Sequence, residues 1–227
     1  MYFKKMSLSS SSLKIIAITT MVIDHIGIVF FPQVTLFRII GRISFPLFAL
    51  MIAEGYTKTS NVHAYFKRLL IFSLVSQFPF MLMVNYTAGI SYFILNIFFT
   101  LSAGLLVVMF WNKLPLKQSL PIIITIAIFA EVLHFDYGAY GVLTVLASSI
   151  FLQHRTLGTL LLILLPQLYT VLLLQINLFT IQFLAPLSIP FIILYNRKIG
   201  MRLPQTLLYW FYPGHLLLLW LLWMVLK

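Results

Sequence analysis

An aspartate and a histidine, Asp24 and His25, stand side by side deep in an apolar run that reads LKIIAITTMVIDHIGIVFF. A charged side chain at the centre of a bilayer costs roughly 2.5–3.5 kcal/mol on the mildest insertion scale. A chain that keeps two ionisable groups there is expected to use them. Neutral imidazole, with a pKa near about 6.5, takes a proton at working pH, and a carboxylate holds a cation or orients another histidine. The two side chains point about 100° apart around a helix, so each needs a partner from elsewhere. Candidates are Arg38 and Arg42, four residues apart and so on one helical face. Others are Asn96, His134 and Asp136 in HFDYGAYG, and Tyr212 with His215 in WFYPGHLLLLW.

A structural alternative stands beside the chemical one. Asp24 pairing with Arg42 would only neutralise a buried charge, but that leaves His25 and His215 unexplained. A lone membrane histidine usually makes an interhelical hydrogen bond; two at similar depth beside Asp and Arg favour function. A metal site through Asp24, His25, His134 and His215 lacks the HExxH spacing, so no metal is expected. The absence of GxSxG argues against a serine hydrolase. With no cysteine, thiolate nucleophiles, disulfides and cysteine-ligated metal centres are excluded. The four carboxylates are too few for a dedicated calcium cage of about six to eight oxygens.

The elements that must position these residues are membrane helices. The chain is 62% hydrophobic and 8% charged, whereas soluble domains carry about 25% charged residues. Residues 1–227 therefore read as one all-α, polytopic integral membrane domain. Apolar stretches near 13–31, 38–56, 68–85, 91–111, 119–135, 157–175, 177–195 and 205–226 suit spans of about 20 residues. With the short stretch 139–153, partial or tilted at roughly 22 Å, the total is about nine.

The net charge of +11 reflects topology rather than nucleic-acid binding. Lys4, Lys5, Lys14, Lys58, Lys67, Arg68, Lys113, Lys117, Arg155, Arg197, Lys198 and Arg202 all fall on one side when the N-terminus is cytoplasmic. The loops near 85–91 and 175–177 carry no Lys or Arg, and only Arg38 and Lys227 lie on the far side. The first apolar run lacks a signal-peptide cleavage pattern and reads as a retained helix. Asp24, His25, Arg38, Arg42, Asn96 and His215 then share overlapping depths toward the outer half. Glu54 with Lys58 and Glu131 with His134 suit local ion pairs. Gly138 and Gly141 suit a turn or tight packing. Tyr209, Trp210, Trp220 and Trp223 suit interfacial anchoring.

The segments LKIIAITTMVIDHIG, RIIGRISFPLFALMIAEGY, HAYFKRLLIFSLVSQFPF, LNIFFTLSAGLL, DYGAYGVL and WFYPGHLLLLW, in this order, resemble the TraX family over nearly the whole chain. The family's namesake is associated with N-terminal acetylation of F-type conjugative pilin. The chain is also similar to the wider group of transmembrane acyltransferases. The residues carrying the resemblance are Lys14, Asp24, His25, Gly41, Arg42, Pro46, Asn96, the Tyr137–Gly138 turn, Tyr212 and His215. The stretch at Glu54 and Tyr56 belongs to one branch, so a pilin is one acceptor among others.

The resemblance implies transfer of an acetyl group from cytosolic acetyl-CoA to an amine or hydroxyl presented at or across a bacterial cytoplasmic membrane. His25 is the expected general base, with His215 as rival base or second proton handler, Asp24 as electrostatic support, and Arg42, Asn96 or Tyr212 stabilising the oxyanion. Arg38, Tyr137 and Lys14 complete the expected substrate contacts. Direct transfer and an acyl-histidine route both stay open. Two other classes also fit intramembrane polar residues: a small proton-coupled transporter, although no inverted repeat is evident, and a scaffold with polar interhelical contacts.

Overall fold

The computed structural model describes residues 7–87, 89, 93–172, 177–202 and 204–226. Lys4, Lys5, Lys227 and parts of the two uncharged loops lie outside the described residues. Helix α1 spans Ser10–Phe30, α2 Thr35–Gly41, α3 Ser44–Lys58 and α4 Val62–Thr87. They are followed by α5 Ile97–Lys113, α6 Leu116–Val132, α7 Gly138–Gln153 and α8 Arg155–Leu172. A 3-10 helix over Asn177–Ser188 leads into α9 Ile189–Ile193, and α10 spans Gln205–Leu226.

The expected all-α membrane architecture is present. Among the described residues, five stretches are long and apolar enough to cross a membrane: Ser10–Phe30, Thr35–Lys58, Val62–Asn85, Arg155–Leu172 and Gln205–Leu226. Among those residues, five of the nine expected spans thus reach a full crossing by length and composition. Ile97–Lys113, Gly138–Gln153 and Ile181–Ile193 are shorter apolar helices. On the outward face of α6, Leu120, Ile124 and Ile128 recur every fourth residue and are exposed. Such an apolar exterior is what lipid contact requires.

Local sequence explains the helix ends that matter for the site. The Ser9 hydroxyl accepts the Ser12 amide at 3.2 Å and caps α1. The second expected span is broken between α2 and α3, at Arg42 and Ile43. Pro46 has no N–H to return to the Arg42 carbonyl, which favours a break in the helix at that turn. The short stretch at 139–153 forms a helix below full crossing length, Gly138–Gln153. As α7 it stands at the centre, packed by α3, α5, α6 and α8. Its small residues, in GAYGVLTVLASS, let neighbours approach closely.

The two ends of the bundle differ in charge. Leu8 N donates to Leu194 O at 2.8 Å and Ser10 N to Lys198 O at 2.7 Å. Lys58 Nζ reaches Arg197 O at 3.4 Å, and Arg155 reaches Ile193 O at 2.7 Å. The start of α1, the end of α3, the α7–α8 junction and the 194–202 segment therefore share one basic end. At the opposite end, Leu95 N donates to His134 O at 3.0 Å and Asp136 N to Leu95 O at 2.7 Å. The first end is the one that the positive-inside rule expects on the cytoplasmic side.

Candidate active site

Asp24 is the node of the outer cluster. Its Oδ2 lies 2.8 Å from Arg38 Nη1 and 3.3 Å from Arg42 Nη2. The i, i+4 spacing of the two arginines brings both to the same carboxylate, so Asp24 pairs with two cations where one was expected. The close approach depends on Gly41: a Cβ there would stand 2.2 Å from Asp24 Oδ1. Arg42 Nε also donates to Arg38 O at 3.2 Å, and Nη1 donates to Gln182 Oε1 at 3.0 Å. The guanidinium carbon sits 5.6 Å from the centre of the Tyr137 ring. Asp24 and Arg42 are 7% and 9% exposed; their partners therefore have to be protein groups.

Beside this node lies a histidine pair formed between α1 and α10. His25 Nδ1 is 2.8 Å from His215 Nε2, and His215 Nδ1 is 2.8 Å from the Phe211 carbonyl. A carbonyl can only accept, so His215 carries its proton on Nδ1 and the lone pair of its neutral ring is on Nε2. His25 therefore donates from Nδ1, which leaves its own Nε2 as an acceptor. His25 lines the central cavity, whereas His215 is buried and stacks against Phe211 at 5.1 Å. Tyr212 flanks both, with ring centres 6.5 Å from His25 and 5.6 Å from His215.

A third group comes from the turn between α6 and α7. Tyr137 has a left-handed backbone, φ 66°, and Gly138 follows at φ 45°. Gly138 also leaves room for the Glu131 carboxylate, since a Cβ would lie 2.3 Å from Oε2. Glu131 accepts the Ala139 amide at 2.9 Å and the Tyr169 hydroxyl at 3.2 Å, so it caps α7. Asp136 is anchored by its backbone: its amide donates to Leu95 O, and its carbonyl accepts the Thr100 hydroxyl. Burial pushes its carboxyl up to about 6, against the opposing pull of Arg42 and Arg38. The Tyr137 ring stacks on Phe45 at 4.2 Å and, like Asp136, lines the cavity.

That cavity has a volume of about 1380 Å³, above the roughly 300–1,000 Å³ of ordinary small-molecule pockets. At the basic end it is lined by Lys14, Lys58, Arg68 and Arg202, and at the outer end by Asp24, His25, Arg38, Arg42, Asp136, Tyr137 and Tyr212. Lys14 to Asp24 is about 15 Å along α1. Glu54 tempers the basic mouth, pairing with Lys58 at 2.7 Å and accepting the Tyr195 hydroxyl. Lys67, unlike Arg68, is not on the cavity wall.

Asn96 is placed differently from the other candidates. It is fully buried, caps α5 by accepting Phe98 N at 3.0 Å, and donates to Ser73 O and Gln77 Oε1, both at 2.7 Å. Its polar groups join α4 to α5, and it is not among the cavity-lining side chains. Gln182 is not legible in the sequence as a site residue; its only signal is an amide within the apolar run NLFTIQFLAPLS. Asp136 reads from sequence as one candidate among several, at the close of a span. Among the described residues no three His, Asp or Glu side chains gather as a metal-binding set.

A probable fimbrial assembly protein, FimC of serogroup H1 from Dichelobacter nodosus, is 28% identical over 168 residues, which is 69% of this chain and 68% of that protein. An uncharacterized protein of Rickettsia prowazekii (strain Madrid E) is 34% identical over 65 residues, 29% of this chain and 24% of that one. No solved structure matches. The family model described as TraX protein matches residues 9–223, a span that holds the Asp24 node, the histidine pair and the α6–α7 turn. On that match the chain belongs to the TraX family.

Proposed function

We propose that this protein is a membrane-embedded acetyltransferase that carries an acetyl group from cytosolic acetyl-CoA to an amine or hydroxyl acceptor at the outer side of a bacterial cytoplasmic membrane. The observation that carries the reading is the continuous cavity joining a basic mouth to a histidine with a free ring nitrogen. Lys14 and Arg202 attract the phosphates of CoA, and the thioester reaches inward along α1. A pilus-associated acceptor is favoured by the name of the Dichelobacter relative, a probable fimbrial assembly protein.

In this mechanism His25 Nε2 takes the proton as the acceptor nitrogen or oxygen attacks the thioester carbonyl. The new C–N or C–O bond forms, the C–S bond breaks, and His25 returns the proton to the departing CoA thiolate. His215 holds the tautomer that leaves Nε2 free. The Tyr212 hydroxyl borders the cavity beside His25 and is the donor to the oxyanion in this reading; one such donor in a dry site is worth about 2.7–4 kcal/mol. Arg42 has three nitrogens already engaged and acts by holding Asp24 and Tyr137 in place, while half-buried Arg38 and Tyr137 face the substrates.

The test is transfer of label from acetyl-CoA by the purified protein in liposomes, using membrane extracts as acceptor. His25→Ala, His215→Ala and Arg42→Ala are each expected to lose transfer. Full activity in all three would sink the assignment.

A further inference from the structure

Four charged side chains line the outer part of the cavity: Asp24, Arg38, Arg42 and Asp136. Three of them contact one another. Asp24 takes both arginines, and Arg42 spends its remaining nitrogens on Arg38 O and Gln182. Asp136 is the exception. Among the described residues, no Lys, Arg or His nitrogen stands within 4.0 Å of its carboxylate. Its backbone is nevertheless held on both sides, by Leu95 and by Thr100, and the left-handed turn at Tyr137 fixes its place on the wall. A rigidly presented carboxylate on the cavity wall without a contacting cation can take one from a ligand, and an ammonium group supplies charge-assisted hydrogen bonds of the right sign.

Resting on the acyl-transfer reading above, we propose that Asp136 is the docking residue for the acceptor's ammonium group, and so the residue that selects an amine over a hydroxyl. The surrounding groups suit this task. Arg38 and Arg42 act on Asp136 from a longer range, so a docked ammonium feels two positive neighbours and sheds a proton more readily. That first proton passes to the Asp136 carboxylate and later to water. The neutral amine attacks the thioester carbonyl, its second proton goes to His25 Nε2, and the thiolate leaves with it. A hydroxyl acceptor is uncharged and draws no ion pair from Asp136.

The probes are a labelled alanyl-leucyl-leucine amide and its analogue with hydroxyl in place of the N-terminal amine. Binding to the protein in liposomes is measured first without acetyl-CoA. The wild type is expected to hold the amine at least about tenfold more tightly, Asp136→Asn to lose that preference, and Asp136→Glu to keep part of it. Amine binding should also strengthen between pH 5 and 7 as Asp136 ionises. Asp24, Arg38, Arg42, Tyr137, Tyr169, Tyr212 and the two histidines also face this region, and a flat profile in Asp136→Asn separates its titration from theirs. With acetyl-CoA present, Asp136→Asn should raise KM for the amine peptide while KM for acetyl-CoA holds.

Equal binding of the two probes by the wild type overturns the proposal without any variant, and so does an amine preference retained by Asp136→Asn. A wild type that prefers the amine but transfers no acetyl group upholds the docking role and removes the acyl-transfer reading instead.

Discussion

The two ends of the cavity handle charge in opposite ways. At the basic mouth Lys14, Lys58, Arg68 and Arg202 share one sign and line the wall with a single carboxylate, Glu54, among them. At the outer end Asp24, Arg38 and Arg42 are interlocked by ion pairs and hydrogen bonds of 2.8–3.4 Å, and Gln182 completes the set. The first end works as a field that tolerates water and flexible side chains. The second works only as a fixed geometry, because buried charge without a partner is costly. A mouth that gathers an anion needs no exact placement; a centre that moves a proton does.

Breaking the outer end should have the largest effect. His25→Ala is expected to lower kcat for label transfer by about 10²–10⁴, the usual worth of a positioned base. A loss confined to KM would move His25 from proton transfer to binding. Asp24→Ala strips Arg42 of its counter-charge and should destabilise the fold by on the order of 3–5 kcal/mol, read as a lower thermal midpoint in detergent. An unchanged midpoint would mean that water already screens the node. Gly41→Ala is expected to mimic that loss in part, since its Cβ displaces the Asp24 carboxylate, and activity in membranes should fall with it. The smallest effect belongs to the mouth: Lys14→Ala should raise KM for acetyl-CoA a few-fold at low salt, and salt near about 1 M, where the Debye length is about 3 Å, should erase the difference. Salt sensitivity in the Asp24 variant instead would reverse the contrast between the ends.

Much of this arrangement is legible in the amino-acid sequence. That Arg38 and Arg42 share a face follows from helical spacing, and the need of His25 for a partner on another helix follows from its 100° offset from Asp24. The Glu54–Lys58 pair is likewise readable from i, i+4 spacing and is present at 2.7 Å. Glu131 is less so: its partner is an amide eight residues on, reached only because the chain reverses at Tyr137. The break inside the second span is written in Pro46, yet its consequence, Arg42 poised at a helix junction, depends on the backbone path.

What the amino-acid sequence determined by itself is the membrane character, the order of the apolar segments and the uneven placement of basic residues among the loops. The first two follow from transfer free energies that add residue by residue, and none of the three needs a partner. Tertiary structure decided everything that depends on two segments meeting. It set His25 against His215, 190 residues away, and Arg42 against Gln182, 140 residues away. It turned Asn96 from a site candidate into a joint between helices, and left Asp136 on the cavity wall without a contacting cation. A hydrogen bond exists only within a few tenths of an ångström, and packing alone sets distances that finely.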